Sequence, residues 1–160
     1  MNIRRLYKAI DDAKVVSFDV FDTLLLRPYL HPADVFLHLE RIHKRFGFAE
    51  QRLRAAHIFY LKHGKEHEAT FDDIYDQIPD FADMKQAELD WEWQTITANS
   101  EMRTFWDYAI KRGKTVIATS DMYLPPSFME KLLAHNGFTS ASRVFVSAFA
   151  GAAKIGGEPL

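Results

Sequence analysis

Two aspartates, Asp19 and Asp22, close the apolar run in VVSFDVFDTLLLRP, residues 15–28. Downstream, KTVIATS (114–120) ends in Ser120 and is followed by Asp121, and the glycine-rich AGAAKIGG (150–157) holds Lys154. A carboxylate can attack phosphorus to give an aspartyl-phosphate. A hydroxyl and an ammonium can hold the non-bridging oxygens, where charge accumulates. The set therefore suits phosphoryl transfer, with a hard divalent cation, Mg²⁺, screening the carboxylate from the incoming phosphate.

The elements around these residues must bring them together. Val15, Val16 and Phe18 make 14–19 a strand, and its near-continuous apolarity fits a central strand buried on both faces. KTVIATS and RVFVS (143–147) predict two more strands. A short amphipathic helix is expected over 2–12. From Pro32 the period becomes helical, with Val35, Phe36, Leu39, Ile42 and Phe46 as one stripe ending at Gly47. Further helices are expected over about 49–63, from a Thr70 cap to Pro79, over about 83–99, over 101–112 and over 125–138. Strands alternating with helices predict an α/β fold with a parallel sheet. In such sheets reactive groups gather beyond the carboxyl ends of the strands, where Asp19, Ser120 and the loop holding Lys154 all fall. The helical block between the first two strands is too long for a simple crossover and reads as an inserted cap.

Composition sets bounds. The 160 residues are 48% hydrophobic, with 13 Phe, 6 Tyr and 3 Trp, enough for a sizeable core. Cysteine is absent, which excludes a disulfide framework and thiolate metal sites. MNIRRLYKAIDDAK lacks the apolar centre of a signal peptide, and no run has bilayer length. A cytoplasmic protein with no membrane partner is the expectation. Residues 1–65 carry 12 Lys/Arg against 7 Asp/Glu, whereas 66–160 carry 8 against 15. The basic stretch RIHKRFGFAEQRLR (41–54) is interrupted by acidic and apolar residues, so it reads as a solvated helix face rather than a nucleic-acid interface. HGKEH (63–67) has the H-x-x-E-H spacing of a zinc-protease class, but Gly64 reads as a helix end and would separate the two histidines. Trp91, Trp93, Phe105 and Trp106 read as packing between cap and core.

FDVFDTLL (18–25), ATSDMY (118–123) and GAAKIGG (151–157) resemble, in order and spacing, motifs one, two and three of the haloacid dehalogenase superfamily of hydrolases. The resemblance implies a Rossmann-like core formed by 1–30 and 101–160, with a helical cap over 31–100. It implies that Asp19 is the nucleophile, in a register set by Thr23 and Leu24, and that Ser120, with Asp121 beside it, binds the phosphoryl group. It further implies that Lys154 is the motif-three lysine, that Asp19 and the Phe21 carbonyl ligate Mg²⁺, and that the substrate is a small phosphorylated metabolite. Phosphatases of the superfamily place a second aspartate, a general acid and base, where Phe21 stands, whereas the dehalogenases proper use an aromatic there. The acid here comes one place later, at Asp22. No counterpart of the acidic fourth motif is present, so the C-terminal strands of the core are expected to be missing. That would expose a sheet edge through which a homodimer could form. The alternatives are a non-catalytic relative that binds a ligand or partner, and a hydrolase of carbon–halogen bonds.

Overall fold

The computed structural model describes residues 3–64 and 68–149. Helix α1 (Ile3–Asp12) leads into strand β1 (Val15–Asp19), a tight turn and a short strand β2 (Leu25–Leu26). Four helices follow: α2 (Asp34–His43), α3 (Phe48–His63), α4 (Phe71–Asp76) and α5 (Met84–Thr95). The chain then returns through β3 (Thr97–Ala98), α6 (Ser100–Lys111), β4 (Thr115–Ser120), α7 (Pro126–His135) and β5 (Arg143–Val146). The result is a mixed α/β fold whose main sheet is parallel, in the order β1-β4-β5. No helix among the described residues is long and apolar enough to cross a membrane.

Among the described residues β4 is the middle strand of the sheet and β1 lies at its edge. Val116, Ala118 and Ser120 of β4 are buried, Ile117 and Thr119 are half-buried, and Thr115 is exposed. In β1 only Phe18 is buried, and Val15 is 51% exposed. One face of the sheet is thus packed: Phe18 meets Trp106 of α6, and Trp106 meets Phe138 and donates its indole N–H to the Thr139 carbonyl at 2.9 Å. The other face, bearing Val15, Ser17 and Asp19, is open among the described residues. The apolar run in β1 suggested two-sided burial, but only every second side chain, Val16, Phe18 and Val20, reaches the packed face.

Two helix expectations also change. Helix α5 stops at Thr95, because Ile96 and Thr97 are β-branched and go extended. Thr97-Ala98 then pairs antiparallel with Leu25-Leu26, so both ends of the helical insert leave from one two-stranded ribbon. The α2 stripe is shorter than its spacing suggested. Val35, Phe36 and Leu39 are buried, whereas Ile42 and Phe46 are exposed; Lys44 turns left-handed (φ 53°) and ends the helix before Phe46. Gly47 (φ 87°) then lets the chain reverse into α3. The Thr70 cap is present as expected, with Asp73 completing a capping box.

The insert has a polar centre. Glu88 of α5 is fully buried and accepts both forks of Arg52 of α3 at 2.8 Å, the Tyr75 hydroxyl of α4 at 2.7 Å and the Tyr123 hydroxyl at 3.2 Å. Burial, reinforced by the neighbouring Glu88 carboxylate, pushes both tyrosine hydroxyls up, so both remain donors. The basic stretch therefore turns partly inward: Arg52 pairs with Glu88, and Arg45 donates to the Asp80 carbonyl and pairs with Asp83 at 2.9 Å. Trp93 bridges outward to the core, stacking on His135 of α7 with centroids 4.5 Å apart. Arg52→Met strands a buried carboxylate and should cost about 3–5 kcal/mol in urea unfolding. Combined with Tyr123→Phe, the loss should depart from additivity by more than ~0.5 kcal/mol, because both changes act on one carboxylate.

Candidate functional site

Asp19 is set by the turn that follows it. The Val20 carbonyl accepts the backbone N–H groups of both Leu24 and Leu25 at 2.8 Å, and the Asp22 N–H donates to the Leu25 carbonyl at 2.8 Å. Closing so tightly places Asp22 in the left-handed region (φ 58°), which aspartate tolerates better than most residues. The turn brings Thr23 back onto the strand end, where its hydroxyl donates to Asp19 Oδ2 at 3.0 Å. Asp19 Oδ1 accepts no hydrogen bond from the described residues, and the side chain is exposed.

Asn99 locks this turn from the far end of the insert. Its side-chain N–H donates to the Thr23 carbonyl at 2.9 Å, and its backbone N–H to the Leu24 carbonyl at 2.8 Å. Its Oδ1 accepts from the N–H groups of Glu101 and Met102, capping α6. The spacing predicts Asn99 as the tail of a helix over about 83–99; its cap on α6 and its two bonds to the Asp19 turn are not legible there, the bonds because they span the whole insert.

The parallel register places Asp19 opposite Thr119, and the Val20 N–H continues the ladder to the Thr119 carbonyl at 3.1 Å. Ser120 thus stands at the same end of the sheet, one residue further on and 3% exposed. Asp121 is exposed and lines a cavity with Met122, Tyr123 and Ala148. The structure brings Asp19 and Thr23 into contact and sets Ser120-Asp121 on the adjoining strand end. No hydrogen bond joins Asp19 to Ser120 among the described residues, and Lys154 lies outside them.

The oxygens at hand suit a hard cation in kind. The Asp19 carboxylate is exposed, and the Phe21 carbonyl accepts no hydrogen bond from the described residues. No cluster of three metal-ligating side chains occurs among those residues. That donor set fits Mg²⁺, which keeps several waters and takes one or two carboxylates together with substrate phosphate. Zinc by way of HGKEH has less support: α3 ends at His63 with Gly64 at φ 83°, and Glu66 and His67 lie outside the described residues.

On the insert side of this turn, Arg27 sits over the Phe21 ring, 3.8 Å from its centroid, and faces Glu92 with Nε 3.6 Å from Oε2. Neither Arg27 nor Glu92 was singled out by the sequence. The chain matches no protein-family model, and no curated protein matches it significantly.

Burial holds the Glu92 carboxyl above its ordinary value of 4.5; Arg27 pulls it down, and nearby Glu88 pushes it up again. The fold thus favours the protonated form. Its contribution to stability is full below pH 4.5 and is lost as the pH rises through the elevated value. Denaturation midpoints followed across that window should show a smaller pH dependence in Glu92→Gln than in the parent. An unchanged slope would contradict the assignment.

Proposed function

We propose that the chain is a phosphohydrolase of the haloacid dehalogenase type, with a Rossmann-like core and a helical cap, acting on a small phosphorylated molecule. The observation that carries this reading is the Asp19 turn. It presents an exposed carboxylate at the carboxyl end of a parallel strand, with one oxygen held by Thr23 and the other open. The end of the neighbouring strand, Ser120-Asp121, is where that chemistry needs a phosphate-binding hydroxyl.

In this reading Asp19 Oδ1 attacks phosphorus, and the new P–O bond forms as the bond to the ester oxygen breaks. The departing oxygen takes its proton from solvent, since Phe21 can supply none; Asp22 is the nearest acid in sequence. Water then attacks phosphorus, inorganic phosphate leaves and the carboxylate is restored. Thr23 keeps the carboxylate oriented through both steps, and the Ser120 hydroxyl and the Lys154 ammonium neutralise the transferring oxygens. Mg²⁺, held by the Asp19 carboxylate and the Phe21 carbonyl, would offset the repulsion between carboxylate and phosphate. The insert, joined to the sheet through the β2–β3 ribbon, would select the substrate and screen water from the first step.

Phe21 favours one second reading, hydrolysis of a carbon–halogen bond, in which Asp19 attacks carbon and halide leaves. Turnover of p-nitrophenyl phosphate against that of 2-chloropropionate separates the two. Phosphate release should require added Mg²⁺, stop on chelation and fall by at least ~10³-fold in Asp19→Asn. Ser120→Ala should lower it by ~10²–10³-fold. Equal rates in Asp19→Asn would remove the nucleophile assignment, and an inert parent protein would favour a non-catalytic binding domain.

A further inference from the structure

Two arginine side chains are buried here, and only one makes a two-pronged ion pair. Arg52 makes a two-pronged pair with Glu88. The side chain of Arg27 is 7% exposed, yet its Nε stops 3.6 Å from Glu92 and its Nη2 reaches only the Met122 sulfur, at 3.7 Å. Its Nη1 has no acceptor among the described residues. A guanidinium carries five donors in a rigid fork, and a thioether is a weak acceptor. Among the described residues these donors therefore have no hydrogen-bond acceptor beyond the Met122 sulfur, and they are not sealed from solvent.

These donors border a cavity of about 300 Å³ lined by Arg27, Phe36, Arg52, Glu92, Met122 and Tyr123, with Ala33, Leu53 and Ala56 completing its apolar wall. Two of its lining residues lead back to the candidate site. Arg27 covers Phe21, two residues after Asp19, and Met122 comes two residues after Ser120. The size suits a small ligand.

We propose that Arg27 binds a carboxylate of the substrate in this cavity, which makes the substrate a short-chain phosphorylated acid. The proposal rests on the phosphohydrolase reading for its phosphoryl end. The planar fork of Arg27 matches a carboxylate in two-point contact. A carboxylate is favoured over a second phosphate because Glu88 and Glu92 already lie beside the cavity and would repel a dianion more strongly than a monoanion.

The test compares the phosphate ester of 3-hydroxypropionic acid with propyl phosphate, which differs by the carboxylate alone. In Arg27→Met, kcat/KM for the acid ester should fall about 10–100-fold more than for propyl phosphate, chiefly through KM. Equal falls, or no fall, overturn the proposal. Calorimetric titration with 3-hydroxypropionate separates it from the hydrolase reading. Binding of 3-hydroxypropionate by the parent that is lost in Arg27→Met, without turnover of any ester, would sink the hydrolase and uphold the Arg27 site. Binding that survives the substitution, or that the parent lacks, would overturn the site whatever the activity. If Arg27→Met does not fold, Arg27→Lys keeps the charge without the fork and should weaken 3-hydroxypropionate at least tenfold; undiminished affinity would overturn the proposal.

Discussion

The buried carboxylate of Glu88 organises the part of the molecule that would meet a substrate. It draws a guanidinium from α3, a phenol from α4 and a phenol from the loop after β4 onto α5. An ionised carboxylate in that interior is tolerable only with its acceptor sites filled and its charge opposed. The three insert helices and the Tyr123 loop therefore have one mutual arrangement that satisfies it. Glu88 holds Arg52 in a two-pronged pair, whereas Arg27 has no carboxylate within hydrogen-bond distance among the described residues. Because Tyr123 adjoins Met122, the same carboxylate also fixes the residue that touches Arg27.

A second tie works on the other side of the insert. The β2–β3 ribbon closes its two ends, and Asn99 bonds across from the start of α6 to the Thr23 and Leu24 carbonyls. Thr23 in turn holds Asp19. The carboxylate at the strand end is thus oriented by a residue far along the chain. A substitution at Asn99 would act on Asp19 without touching any ligand.

The sequence revealed the elements better than their neighbours. Period and caps located the three sheet strands, the Thr70 cap and the stop at Gly64, because each depends on residues close in the chain. Two-sided burial of β1 is not found among the described residues, since an apolar run does not show which side chains find a partner layer. The β2–β3 ribbon was missed for a related reason: two-residue strands have no period, and Ile96-Thr97 looked like the tail of a helix. For the candidate site, Asp19, Thr23 and Ser120 stood out through motif spacing. Arg27, Glu92 and Asn99 did not, because their meaning lies in contacts across the insert. Arg52 was misleading in sequence, since one buried partner turned a member of a basic run into an interior ion pair.

The chemistry turns on whether Asp19 becomes covalently modified. The most direct measurement is mass spectrometry of the protein quenched in acid during turnover of a phosphate ester, followed by peptide mapping. One phosphoryl group on the peptide holding Asp19, absent in Asp19→Asn, is the predicted result. Turnover with no adduct under rapid quench, or an adduct on a different residue, would contradict it.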